Sequence, residues 1–213
     1  MTSAIVLGGG WCGVRIGEAL THRGSTVFTT RRSATPPHLA FTLEDRESWA
    51  NLPPPRTLDA AVITFALPAP SEHLEAFHTA YLQHVPRVVA LSTTSVYGVE
   101  PGGVVTEESP LTGVGVRGAL LADRVAGEEF LRQAGATVLC LSGITGEDRD
   151  VGAWFEKGYF ASAHASRLMN LVHVQDIVAL VLRCVDGAAG GKRVNVSSGA
   201  YALWQLADAV GQP

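Results

Sequence analysis

The sequence predicts an α/β fold, a doubly wound and mostly parallel sheet carried in one core. Three observations predict it. Short apolar runs of strand length alternate with helix-period segments along most of the chain. A glycine cluster at 8–13 falls between the first apolar run and the first helical segment. Hydrophobic residues make up 46% of the 213 residues, enough to fill one substantial core.

Each element follows in order. Residues 3–8, SAIVLG, form an apolar run that ends on glycine and read as a buried strand. Val14, Ile16, Ala19 and Leu20 then recur at helical spacing, with Arg15, Glu18 and Arg23 between them and Gly24 as the stop. Residues 25–30, STVFTT, make the second strand, so the first 30 residues are one right-handed βαβ crossover. Residues 32–37 and the prolines at 53–55 are breaks. A third strand is expected at 58–67, closed by Pro68 and Pro70, and a helix at 71–84 with Leu74, Phe77, Tyr81 and Leu82 on one side. Residues 87–96 read as a strand ending in hydroxyl residues, 98–115 as a glycine- and proline-rich loop, and 117–134 as a long helix. Strands follow at 136–144, 168–174 and 193–198, with helices at 176–185, capped by Asp176, and at 203–210. The pattern predicts a single domain over 1–213, in which 145–175 and 199–213 form a reduced lobe on the substrate side.

The bulk properties exclude several classes. A net charge of −4 with no basic cluster argues against a nucleic-acid partner. No run of about 18 apolar residues suits a membrane span. The N-terminal residues lack the basic segment of a leader. Cys12, Cys140 and Cys184 form no C-x-x-C, which fits a reducing cytoplasm. His73, His78 and His84 miss the i, i+4 spacing of a helical metal site, so no metal is expected.

The motif with most chemical content is Gly8-x-Gly10-x-x-Gly13, placed between strand and helix. The first glycine permits a tight turn, the second lets a pyrophosphate approach the backbone, and the third lets helix and strand pack closely. Free N–H groups at the helix start, carried by Trp11, Cys12 and Gly13, would face the phosphates. The second strand ends in Thr29-Thr30-Arg31-Arg32. An NAD site favours an acidic residue there, whereas Arg31 and Arg32 suit a 2′-phosphate, so NADP is expected over NAD. Phe65, Ala66 and Leu67 end the third strand and offer an apolar wall beside the cofactor.

The chain resembles the extended short-chain dehydrogenase/reductases of the NAD(P)-dependent epimerase/dehydratase type, in an atypical form. The resemblance runs from about residue 4 to 210. It rests on LGGGWCGVRIGEAL at the start, TTRR, LSTTSVYG at 91–98, GITG at 143–146, LVHVQDI at 171–177 and VNVSSG at 194–199. It implies a Rossmann-type core with a small C-terminal substrate region. It also implies Thr93 as the hydroxyl that orients a substrate. The family's Tyr-x-x-x-Lys pair is missing. Alignment on 127–131 places Leu120 and Arg124 at its two positions, and no tyrosine lies between Tyr97 and Tyr159. Arg124 remains a candidate to hold the cofactor, and Tyr97 is the remaining candidate proton donor. Thr94 and Ser95 stand where a sugar 4,6-dehydratase carries an acidic pair, and Cys140 and Thr145 replace an Arg and a Tyr of the family pattern. Arg167 and His173 are candidates for the substrate side, and the 117–134 helix is a candidate homodimer surface. Two functions follow. One is an NADP-dependent oxidoreductase or epimerase-like enzyme acting on a small carbonyl, hydroxyl or sugar-like substrate. The other is a non-catalytic NADP-binding sensor or scaffold, favoured by the missing pair and by a chain that stops soon after a short helix.

Overall fold

The computed structural model describes residues 2–33, 36–98, 103–112, 120–160, 163–188 and 190–211. In chain order they form β1 (Ser3–Leu7), α1 (Trp11–His22), β2 (Thr26–Arg31), β3 (Leu39–Ala40), β4 (Ala60–Ile63), α2 (Glu72–Ala80) and β5 (Val88–Thr93). There follow α3 (Leu120–Gln133), β6 (Thr137–Leu141), β7 (Gly143–Thr145), α4 (Gly152–Glu156), β8 (Leu168–His173), α5 (Val174–Val185), β9 (Arg193–Val196), β10 (Gly199–Ala202) and α6 (Leu203–Ala209). Seven strands make the main sheet in the order β3-β2-β1-β4-β5-β6-β9, and every neighbouring pair is parallel. The doubly wound Rossmann-type sheet read from the sequence is therefore present. The chain runs outward from β1 to β3, then returns to β4 on the other side of β1. The strand order reverses there, which opens a crevice at the carboxyl ends of β1 and β4.

Burial explains why the central strands read so plainly. Side chains of β1 alternate between two cores: Ile5 and Leu7 enter one, Ala4 and Val6 the other. α2 and α3 cover the first face through Leu74, Phe77 and Leu131. α1 and α5 cover the second through Ile16, Leu20, Ile177 and Val181. A strand covered on both faces is apolar throughout rather than alternating.

A second sheet has three strands in the order β10-β8-β7. It overturns the expectation of one strand over 136–144. β6 stays in the main sheet, while β7 leaves it after Ser142 and pairs in parallel with β8. Gly143 allows this, because a Cβ there would lie 3.0 Å from Leu171 and 3.2 Å from the Asn170 carbonyl. The helix expected at 176–185 begins earlier, at Val174. His173, not Asp176, caps it, its Nδ1 accepting from the Gln175 N–H at 3.3 Å. Asp176 sits in the first turn and accepts from the Ser198 hydroxyl at 2.5 Å. The helix expected at 71–84 ends at Ala80, where Tyr81 leaves helical geometry to donate to the Pro53 carbonyl at 2.8 Å. α3 is described from Leu120 on, and residues 117–119 of the expected helix lie outside the described residues. Among the described residues no helix is long and apolar enough to cross a membrane.

Candidate functional site

The glycine turn is fastened from the two strands that flank β1. Gly8, at φ +109°, donates its N–H to Thr30 Oγ1 at 3.0 Å, and Gly9 donates to the Thr30 carbonyl at 2.6 Å. From β4's end, Thr64 donates its hydroxyl to the Gly8 carbonyl at 2.6 Å. The three glycines of the motif then differ. A Cβ on Gly13 would lie 2.0 Å from the Gly8 carbonyl oxygen, so only glycine lets α1 seat against the turn. A Cβ on Gly8 would meet Thr64 Oγ1 at 2.5 Å. A Cβ on Gly10 would meet nothing within 4 Å. Gly10 is the N-cap of α1, no side chain caps the helix, and its first turn holds no acidic residue. Unpaired N–H groups and the positive end of the helix dipole thus stand beside an open position, an arrangement that suits an anion.

Arg31, at the end of β2, leans over this turn. Its Nε donates to the Gly9 carbonyl at 3.1 Å, which holds the exposed guanidinium beside the turn. Arg32 next to it is exposed too, and no acidic side chain ends β2. Phe65 comes within 3.6 Å of the Gly8 Cβ position, so an apolar wall starts beside the turn. Ala66 continues it on the surface, and Leu67 is buried. Trp11 packs its ring 3.0 Å from the Gly146 Cβ position, at the end of β7. The guanidinium carbons of Arg15 and Arg149 lie 4.1 Å and 5.3 Å from the Trp11 ring centre. The Cys12 thiol beside them is pushed up by burial, with Arg149 and Arg15 pulling the other way.

The region of Thr93 and Arg124 is built differently. Thr93 ends β5, and its hydroxyl accepts from the Ser95 N–H at 3.2 Å in a tight local turn. Arg124 donates through Nε to Glu128 at 2.8 Å and through Nη2 to the Leu91 carbonyl at 3.1 Å. Glu128 is 1% exposed and also binds Arg193 at 3.0 Å, which in turn binds Glu129 at 2.7 Å. Glu129 closes the chain on Arg132 at 2.8 Å. Tyr97 is buried and donates its hydroxyl to Asn195 Oδ1 at 2.8 Å. Burial, with Cys140 nearby, raises its phenol well above the usual tyrosine range. That hydroxyl has a structural partner and holds its proton tightly. The ion network was not read from the sequence. Its one local signal was Glu128-Glu129 four residues after Arg124 and three before Arg132.

The two substrate-side candidates stand at opposite ends of β8. Six residues separate Arg167 from His173, roughly 20 Å along a strand, so they cannot grip one small group together. His173 lies at the glycine-turn end, paired with Thr145 of β7, and Arg167 is exposed at the far end. Among the described residues no three His, Cys, Asp or Glu side chains gather as a metal site would need.

The sheet order, the switch point and the fastened glycine turn define a Rossmann domain of the dinucleotide-fold type. Solved structures share this architecture. The chain superposes on a putative NAD-dependent epimerase/dehydratase from Methylobacillus flagellatus with a TM-score of 0.75 at 21% identity, covering 100% of this chain and 83% of that one. On a short-chain dehydrogenase/reductase superfamily protein from Agrobacterium tumefaciens with bound NAD the TM-score is 0.74 at 19% identity, covering 99% and 84%. In sequence it is similar to protein YeeZ of Escherichia coli K12, 24% identical over 231 residues, covering 94% of this chain and 79% of YeeZ. No family model matches. These likenesses establish the fold as that of the epimerase/dehydratase and short-chain dehydrogenase structures.

Proposed function

We propose that this chain binds a nicotinamide dinucleotide, NADP in preference to NAD, and acts as an oxidoreductase or epimerase-like protein on a small substrate. The observation that carries the reading is the open position at Gly10, with Arg31 tethered to the same turn. The residues fit such a cofactor. Gly8, Gly10 and Gly13 shape the cradle, the N–H groups from Trp11 to Gly13 face it, and Phe65 lines the side. A bound nicotinamide supplies a hydride donor or acceptor. The chain's own part is to orient that ring and the substrate, and Thr93 at the end of β5 is the hydroxyl for that task. The Agrobacterium tumefaciens protein was solved with bound NAD. The preference for NADP rests instead on Arg31 and Arg32, which offer fixed positive charge where a carboxylate would favour the plain ribose.

One set of observations favours a second reading, a sensor that binds the cofactor without chemistry. Arg124 is occupied by Glu128 and the Leu91 carbonyl, and the Tyr97 phenol by Asn195. A polar substrate proton would then come from water or from the substrate itself. Titration with NADPH and NADH, repeated on Arg31→Ala, tests the cofactor assignment. NADPH affinity should fall by about tenfold or more, the worth of one charge-assisted phosphate contact, while NADH changes little. Equal losses for both would remove the NADP assignment. Oxidation of NADPH with a panel of aldehydes and ketones separates the enzyme from the sensor.

A further inference from the structure

We propose that Arg149, assisted by Arg15, closes on the diphosphate of the bound dinucleotide from the β7 side of the glycine turn. The proposal rests on the dinucleotide reading above and adds a second cationic element to it.

Arg149 belongs to a tight turn that follows β7. Arg149 donates its N–H to the Gly146 carbonyl at 3.0 Å, and Gly146 donates back at 3.3 Å. Between them Asp148 takes φ +61°, the one positive φ outside glycine among the described residues. A left-handed non-glycine residue is unfavourable and persists where the surroundings impose it. The turn delivers the guanidinium to the Trp11 ring, where Arg15 already stacks. Arg15 also donates to the Trp11 carbonyl at 3.1 Å, so it is anchored to the start of α1.

The charge balance is the telling feature. Glu147, Asp148 and Asp150 flank Arg149 in sequence, yet neither Arg149 nor Arg15 forms an ion pair among the described residues. Arg23, Arg46, Arg124, Arg132 and Arg193 do, and Arg31, Arg32, Arg56, Arg87, Arg167 and Arg183 do not, but among the described residues Arg15 and Arg149 are the two that share one ring. Two unpaired guanidiniums at one indole repel each other, and the ring's negative face only partly offsets this. An anion between them relieves the repulsion. The Cys12 thiol, one residue past Trp11, feels both charges, which places them within reach of the first turn of α1. Trp11 directly follows Gly10, the open position, and Arg31 leans on Gly9 before it. A diphosphate over Gly10 would thus meet the pair gathered on Trp11, while Arg31 stands on the β2 side of the turn for the 2′-phosphate.

The test measures NADPH and NADH affinity for wild type, Arg149→Ala, Arg149→Lys and Arg31→Ala, with melting temperatures alongside. Arg149→Ala should raise Kd about tenfold for both cofactors and flatten the salt dependence of binding, a readout that a purely structural contact would leave unmoved. Arg149→Lys should recover part of the loss, because charge survives without the planar fork. Arg31→Ala should act on NADPH alone. Tight wild-type binding with unchanged Kd in Arg149→Ala overturns the clamp and leaves the cofactor reading intact. No binding of either dinucleotide by wild type overturns both.

Discussion

Two regions of the same sheet are built on opposite plans. At β1 and β2 the polar groups are left open: Gly10 faces empty space, the start of α1 has no capping side chain, and Arg31 keeps a free guanidinium edge. Beside β5, β6 and β9 the carboxylates of α3 and the Tyr97 phenol are paired within the fold. Glu128 holds Arg124 and Arg193, Glu129 holds Arg193 and Arg132, and Asn195 holds Tyr97. The first region is arranged to receive an anion; the second is arranged to stabilise α3 against the sheet. On the proposed reading the open region serves the cofactor. The paired region packs α3 against the sheet.

Breaking the closed region should give the largest effect. Glu128→Ala leaves Arg193 charged, 4% exposed and short of a partner. Removing one member of a buried pair costs about 3–5 kcal/mol, and a chain of this size loses about 2–4 °C per kcal/mol. Thermal denaturation should therefore show a drop on the order of 10 °C. A drop of under 2 °C would mean that the network contributes little. Gly13→Ala comes next. Its Cβ must displace the Gly8 carbonyl, and overpacking of this kind costs about 1–3 kcal/mol while deforming the turn. Stability and dinucleotide binding should fall together, measured by melting and by titration. Tyr97→Phe should be the mildest. It removes one hydrogen bond, worth about 1 kcal/mol, and leaves cofactor affinity unchanged. A loss of turnover without loss of stability in that variant would return Tyr97 to the chemistry and erase the contrast.

The sequence showed the fold more fully than the site. β1, β4 and β5 were legible because double burial makes a strand continuously apolar. The split between β6 and β7 was not, since only Ser142 and Gly143 interrupt the apolar residues Cys140, Leu141 and Ile144 where the chain changes sheets. The start of α5 was misread because His173 makes a capping bond that is more often made by Asp or Ser. In the site, the glycine spacing was visible, but it could not say which glycine is open and which is packed. Gly10 and Gly13 look alike in sequence and differ completely in surroundings. The Glu128–Arg193 pair spans 65 residues, and Arg149 reaches Trp11 from the turn after β7. No local pattern reports contacts of that range.

The open position at Gly10 is the most direct place to test the account. Its φ of −78° and ψ of −167° suit any residue, so Gly10→Val fills the space without straining the backbone. Calorimetric titration with NADPH, paired with a melting curve, should show a melting temperature within a few degrees of wild type and binding weakened by a hundredfold or more, about 2.7 kcal/mol. Wild-type affinity in a folded Gly10→Val protein would contradict the account at its centre.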